Sequence, residues 1–262
     1  MEQFITILYY HWDFYILLLL RVCGLLFVSP IFGRRNIPVI ARIGYCVILS
    51  VLFYISLQQE PIVEYNGSLF LYILLCIKEL LFGMVYGAVI TFFFSITNIA
   101  GQLIDMQMGF AMVNVLDPST GINSPVMSLF LNTAMLMVFF AVDAHLYLID
   151  FIYMSLQAIP IGDIEINPNL AWLMLGFFAQ AFIMGIVVAL PIIISGLLSD
   201  VSFGLLMKTV PQLNAFAIGI PVKMILGFMV LAVFMPVYIP FCEYTFQQIF
   251  NGMAELYTYL GG

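Results

Sequence analysis

Charge is what this chain has least of. Asp, Glu, Lys and Arg together make up 8% of its 262 residues, against roughly 25% in a soluble domain. Fourteen acidic and seven basic side chains cannot coat a globule of this size, which excludes a water-soluble fold. Seven basic residues under a net charge of −7 also leave no patch for a phosphate backbone, so nucleic acid is not a partner. Cysteine is scarce: Cys23, Cys46, Cys76 and Cys242 each lie in an apolar run without C-x-x-C spacing, and they read as small buried hydrophobes. No G-x-x-x-x-G-K, G-x-G-x-x-G, H-E-x-x-H or G-x-S-x-G motif is present. His11 stands beside Trp12 and His145 in Asp143-Ala144-His145, neither with a ligand at i+4 nor a neighbouring nucleophile. Neither enzyme chemistry, nor a cofactor, nor a metal is expected. The first basic residue is Arg21, too late for the n-region of a secretory signal, so residues 1–30 are read as structure.

What the chain has is apolar surface. Hydrophobic residues make up 64% of it, with 25 Phe, 16 Met and 14 Tyr, and they need lipid or partner protein around them. Charge-free runs extend over Ile43–Gln59, Leu80–Ile104, Pro118–Val142, Ile166–Ser199 and Met224–Cys242, and a shorter apolar run, holding Arg21, covers Phe14–Val28. A helix of about 25 residues reaches ~37 Å, more than the ~30 Å of a bilayer's hydrocarbon. Lipid admits only helices or closed barrels, and the runs lack period-2 alternation. The fold class is therefore all-α, a membrane or assembly protein with about six long, kinked apolar helices in hairpins. Pro118, Pro191, Pro211, Pro221, Pro236 and Pro240 are expected to break the spans. Arg34, Arg35, Arg42 and Lys208 lie in one set of loops and Glu60, Glu64, Asp163 and Glu165 in the other, so loop charge places the arginine loop in the cytoplasm. Phe246, Ile249, Phe250, Met253, Leu256, Tyr257 and Leu260 follow helical spacing, with Gln247, Gln248, Asn251 and Glu255 between them. That pattern predicts a C-terminal amphipathic helix, and its lack of basic residues points to a protein groove rather than anionic lipid.

Four local features stand out. Gly83 and Gly87 form a G-x-x-x-G, a site for close helix packing. Lys78-Glu79 interrupts an apolar stretch, and two readings are open: a bundle interior or partner contact, and a snorkelling position near a membrane surface. Asn66-Gly67-Ser68 fits a glycosylation sequon and equally a plain loop. Between Gly101 and Gly121, apolar Met106, Met108, Phe110, Met112, Val113 and Val115 persist through a glycine-punctuated segment with no stable period. Such side chains must touch something apolar, and methionine can seal an irregular opening. A hairpin packed on its own helices fits the same residues.

Three stretches together resemble the FliR family of flagellar type III export-gate subunits, whose injectisome counterpart is SctT. They are Arg21 with Ser29-Pro30-Ile31-Phe32-Gly33 and Ile37-Pro38-Val39-Ile40-Ala41-Arg42; Gly109-Phe110-Ala111 through Asp117-Pro118-Ser119-Thr120-Gly121; and Val210-Pro211-Gln212-Leu213-Asn214 through Gly219-Ile220-Pro221-Val222-Lys223. Asp143-Ala144-His145-Leu146 is similar to the family's short His-containing turn, although a small residue is expected at Asp143. The resemblance implies a single copy joined to FliP-like and FliQ-like subunits around a channel, alongside FlhB-like and FlhA-like proteins, in the inner membrane at the flagellar basal body. It implies that unfolded flagellar proteins are the cargo. It further implies a FliP-like part over about 1–165 and a FliQ-like hairpin with the amphipathic helix over 166–262. The family's plug maps onto 106–122: Met106, Met108, Gly109, Phe110, Ala111, Met112, Val113 and Val115 as gasket, with Asp117, Pro118 and Gly121 as anchor. Lys208, Pro211, Asn214, Pro221 and Lys223 would shape the inter-helix turn. Helices buried against sister subunits need not obey span lengths or loop-charge rules, which demotes a strict six-crossing topology.

Two other functions fit parts of the pattern. A secondary transporter would use Pro191 and Pro211 to interrupt helices and Asp105, Asp200 or Lys208 to hold ions, but no inverted repeat is visible. An assembly scaffold shares every packing feature and differs only in the plug. The motifs favour the flagellar over the injectisome branch.

Overall fold

A computed structural model of the chain describes residues 12–33, 37–57, 69–110, 125–164, 167–210 and 215–260, with the side chains of 215–217 excepted. Among the described residues every regular element is a helix: α1 Trp12–Val28, α2 Val39–Ser56, α3 Leu69–Met108, α4 Val126–Ala141, α5 Ala144–Ala158, α6 Leu170–Thr209, α7 Ala215–Glu255 and the short α8 Tyr257–Leu260. The protein is all-α, as its composition requires. Four helices (α2, α3, α6 and the α7 segment) are long and apolar enough to cross a membrane, or five spans if the broken pair α4 and α5 counts as one.

Three helices are longer than any bilayer asks. At 1.5 Å per residue the 40 residues of α3 and of α6 each reach about 60 Å, beyond the ~40–45 Å of a whole membrane. The expected proline breaks do not occur within the described residues. Pro191 lies inside α6, and Pro221, Pro236 and Pro240 lie inside α7. A proline removes one ladder bond, and in apolar surroundings no water competes for the bonds on either side, so the helix continues. Pro118 and Pro211 lie outside the described residues. The break that does occur is at Val142-Asp143, between α4 and α5. There Asp143 takes φ 55°, ψ 24°, a left-handed conformation that Asp tolerates better than most side chains.

The contacts divide the chain into two units. The first comprises residues 1–93, 143–178 and 247–262. Its core stacks Leu17, Leu18 and Val22 of α1, Phe82, Tyr86 and Ile90 of α3, and Leu148 and Ile152 of α5, all nearly inaccessible. Tyr86 centres an aromatic cluster, with ring centroids 4.8 Å from Phe82 and 5.5 Å from Phe151. Phe151 in turn stacks on Tyr257 at 5.2 Å. The predicted C-terminal amphipathic helix is therefore not a separate element. Residues to Glu255 continue α7, and the apolar face finds its groove in this chain, with Met253, Leu256 and Leu260 buried.

Backbone approach in this unit is set by glycine. A Cβ on Gly83 would overlap the Arg21 carbonyl oxygen, one on Gly24 would lie 2.5 Å from the Leu80 carbonyl oxygen, and one on Gly87 would lie 2.8 Å from that of Leu25. The G-x-x-x-G of α3 thus meets a glycine of α1, and the two backbones touch.

The second unit comprises residues 94–142 and 179–246. Phe94, Phe139 and Phe246 form its aromatic centre, with Phe139 and Phe246 edge to face at 5.4 Å. Buried Tyr238 of α7 donates its hydroxyl to the Leu131 carbonyl of α4 at 3.0 Å. A Cβ on Gly101 would overlap the Ser128 backbone, and Ser128 Oγ donates to the Asn98 carbonyl at 2.9 Å. Here too α3 and α4 meet backbone to backbone.

Gly83→Ala is expected to lower thermal stability by ~1–3 kcal/mol, the usual effect of overpacking a closed contact. Gly44→Ala, on an α2 face with nothing within 4 Å, should be neutral or stabilising by up to ~1 kcal/mol. Thermal denaturation of the detergent-solubilised protein, with both variants side by side, checks the contrast.

Candidate functional site

Polar chemistry concentrates at two places, one in each unit. In the first unit Arg21 of α1 is 2% exposed and Glu79 of α3 is inaccessible. Arg21 Nε donates to Glu79 Oε2 at 2.6 Å and Nη2 to Oε1 at 3.1 Å, a two-pronged ion pair. The remaining donors reach the open end of α5: Nη1 to the carbonyls of Ile159 (2.8 Å) and Ser155 (3.4 Å), and Nη2 to that of Pro160 (3.5 Å). A cation at a helix C-terminus meets the negative end of the dipole, and here it bonds carbonyls at and just beyond the end of α5, sharing that of Ser155 with the Ile159 amide. Glu79 Oε1 also accepts the Gly162 amide at 2.8 Å, and the guanidinium lies 4.3 Å from the Phe82 ring centroid. Of the two residues in Lys78-Glu79, Glu79 takes the bundle-interior reading. Lys78 is exposed and donates to the Ile164 carbonyl at 3.4 Å, while Glu79 points inward, because neighbours on a helix face different ways.

In the second unit the site is the base of the segment between α3 and α4. Met106 is 70% exposed and Met108 is 1% exposed. A Cβ on Gly227 of α7 would meet the Met108 side chain at 2.7–2.9 Å, so that glycine makes the methionine's seat. Gly109 ends α3 at φ 85°, a conformation that favours glycine. Phe110 is half-buried, edge to face with Phe228 of α7 at 6.1 Å. Ala111, Met112, Val113, Val115, Asp117, Pro118 and Gly121 lie outside the described residues, as does Asn66 of the sequon. The chain is described again from Pro125, which opens α4 without a side-chain cap. The cap comes instead from α3. Asp105, 5% exposed, accepts the Met127 amide on both carboxylate oxygens, at 3.1 and 3.2 Å.

The remaining turn residues do not gather. Lys208 is exposed in the last turn of α6, and Pro211 and Asn214 lie outside the described residues. Pro221 and Lys223 are inside α7 rather than in a turn, because the helix begins before both. Lys223 pairs instead with Asp200 of α6, whose other oxygen accepts from Gln107 Nε2 of α3 at 3.4 Å. Two of the residues a transporter would use for ions are thus engaged otherwise, Asp105 on a backbone amide and Asp200 on Lys223. Among the described residues no group of His, Cys, Asp and Glu could hold a metal ion.

The sequence reading missed the Arg21–Glu79 pair and the Asp105 cap. The first has a readable signal, since Arg21 and Glu79 are ionisable groups inside apolar runs, and such groups need a partner. The second has a weaker one, a carboxylate one turn before a glycine with no basic residue at i±4.

The described residues thus define an all-α membrane protein, with four or five helices long and apolar enough to span a bilayer and buried polar side chains that join helix to helix. The family described as bacterial export proteins, family 1, matches residues 13–249, and the chain belongs to it. It is similar to the flagellar biosynthetic protein FliR of Bacillus subtilis (strain 168), at 33% identity over 94% of this chain and 95% of that one. It is similar also to the FliR of Escherichia coli (strain K12), at 30% identity over 92% of each. The Yop proteins translocation protein T of Yersinia pestis is 26% identical over 84% of this chain and 85% of that one. The FliR resemblance is thereby shown, and with it a component of an export apparatus that is not an enzyme.

Removing one partner of a buried ion pair strands the other, at a cost of ~3–5 kcal/mol, while replacing both with apolar residues is often far milder. Arg21→Met and Glu79→Met should each sharply reduce recovery of folded protein, and the double variant should recover more than either. Detergent-extracted yield and thermal melting of the three variants measure this.

Proposed function

We propose that this protein is a subunit of a flagellar type III export gate in the bacterial inner membrane, and that residues 106–122 plug its channel for unfolded flagellar proteins. The observation that carries this reading is the loop base. An apolar segment leaves α3 through Gly109, returns at Pro125, and has its two ends tied by Asp105 and Met127. A segment that carries Met112, Val113 and Val115 between ends so tied has the composition for an apolar stopper. An apolar constriction stops ions by dewetting. Burying each Phe or Met contributes ~1.5–3 kcal/mol, modest enough for a driven polypeptide to displace. The exposed flank of α6, including Trp172, Ile194, Leu198 and Val201, favours neighbours of like apolarity along the whole helix, as FliP-like and FliQ-like subunits would provide. FlhB-like and FlhA-like proteins complete the partners on this reading. A FliP-like part ahead of a FliQ-like hairpin, divided near residue 165, accounts for the long pair α6 and α7.

Deleting Phe110–Val113 tests the plug. The assembled complex should be recovered in wild-type amount while cells become leaky to ions and small solutes; loss of the assembly, or an intact assembly without leak, favours internal packing. A scaffold without gating predicts the latter result.

The turn is tested separately by Pro211→Ala combined with Asn214→Ala. Complex recovery and export should both fall, and wild-type levels of both would remove the turn from the mechanism.

A further inference from the structure

We infer that the head of α2 binds one anionic phospholipid, whose phosphate pairs with Arg42 and whose acyl chain enters an apolar slot beside it and runs down the outer face of α2. The slot is a cavity of about 90 Å³ in the first unit. Phe27 at the end of α1, Phe32 and Ile37 between the helices, and Ala41 and Tyr45 of α2 wall it, with Arg42 as the charge among them. Phe32 stacks on Tyr45 at 5.2 Å. A guanidinium in such surroundings calls for a counter-charge, and the described residues give it none. The ion pairs among them are Arg21–Glu79 and Lys223–Asp200. Arg42 has a long bond from Nη1 to the Gly33 carbonyl, 3.4 Å, and the Phe27 ring centroid 5.5 Å away. Its Nε is closed to solvent and has no acceptor among the described residues. Arg21 shows how this chain treats a guanidinium whose acceptors come from within, with two carboxylate oxygens and three carbonyls. For Arg42 the acceptor is left to come from outside.

The charge asks for an anion, and the surroundings say which. Arg42 sits in the first turn of α2, a helix long and apolar enough to span a membrane, so the guanidinium falls where that span meets the lipid headgroups. Pro38 gives α2 no side-chain cap, and the positive end of the helix dipole adds to the field at the same place. From the slot an apolar track continues down the helix. Ala41, Ile48, Leu52 and Ile55 recur at helical spacing on one face, and all are exposed. Between the first two lies Gly44, where a Cβ would meet nothing within 4 Å, so the track is grooved at its upper end. From Ala41 to Ile55 the helix rises about 21 Å, against the ~15 Å of one leaflet's share of the hydrocarbon. A soluble anion would leave that track uncovered. A protein neighbour would have to set one acid opposite a face that is otherwise wholly aliphatic, whereas a phospholipid carries both parts in one molecule.

The test uses the full chain in uncharged detergent and compares dioleoyl phosphatidylglycerol, dioleoyl phosphatidylcholine and inorganic phosphate by thermal melting, with bound lipid counted by native mass spectrometry. Phosphatidylglycerol should raise the melting temperature by about 5 °C over phosphatidylcholine. From an equimolar mixture it should be retained about tenfold more, the factor expected of one charge-assisted contact, and inorganic phosphate should give no shift. Arg42→Gln should melt as the wild type does in phosphatidylcholine and lose both the shift and the preference. Arg42→Lys, which keeps the charge without the planar fork, should keep part of each. Equal retention of the two lipids marks the slot as a seat for a neighbouring subunit and overturns the inference. So does inorganic phosphate that stabilises as much as phosphatidylglycerol, or an Arg42→Gln chain that still prefers phosphatidylglycerol. If Arg42→Gln does not fold, Ala41→Trp decides in its place, since it fills the slot and leaves the guanidinium untouched. Loss of at least half the phosphatidylglycerol shift supports the lipid site, while a larger remaining shift, or a chain that does not fold, overturns it.

Discussion

The buried pair of Arg21 and Glu79 is the constraint from which the first unit follows. A guanidinium taken out of water needs every nitrogen satisfied. Here Glu79 supplies two acceptors and the end of α5 supplies the others. The geometry leaves little freedom. For Arg21 to reach Glu79 laterally, α1 and α3 must lie backbone to backbone, and Gly24 and Gly83 permit that approach. For it to reach Ile159 and Pro160, α5 must end at that depth. Glu79 then collects the Gly162 amide, which fixes the turn leading towards α6. One ion pair thereby sets the register of three helices and a turn. An apolar interface alone specifies register poorly, since one aliphatic turn packs much like the next.

The second unit solves the same problem without a charge pair at its centre. Gly101 and Ser128 bring α3 and α4 together, the Tyr238 hydroxyl on the Leu131 carbonyl brings α7 to them, and Asp105 closes one end. The Asp200–Lys223 pair of α6 and α7 is half-exposed, and such pairs contribute little in water. Each unit thus gets its specificity from a few polar atoms in an interior that is otherwise uniformly greasy.

Much of this was legible from residues alone, and the limits have physical causes. Scarce charge and long apolar runs led to an all-α membrane protein, and the motif from Val210 to Lys223 led to the family. Helix boundaries were misread where proline served as punctuation, since Pro191, Pro221, Pro236 and Pro240 all sit inside helices. Proline ends a helix reliably in water, where solvent takes up the freed carbonyl and rewards a turn. In apolar surroundings that reward is missing. The amphipathic pattern of residues 246–260 was read correctly as a face seeking a groove. Periodicity cannot say whose groove it is, and Phe151, Phe177 and Tyr86 were too distant in sequence to nominate. Asp143 drew notice only as a departure from a small residue; its left-handed backbone accounts for the position without requiring one.

The placement of residues 247–260 in the first unit bears on when that unit can exist. Its core begins with α1 and the early part of α3, takes in α5, and closes with Met253, Leu256 and Leu260. A ribosome delivers these pieces in that order, with the whole second unit made in between. Until the final turns emerge, Tyr86 and Phe151 lack the aromatic partner that Tyr257 provides. Contacts of such sequence separation form slowly, because a long loop must close before any of them is rewarded. The nascent chain therefore waits, half-cored, in the membrane for the whole of its synthesis. During that wait any neighbour able to cover the vacant face competes with the chain's own end.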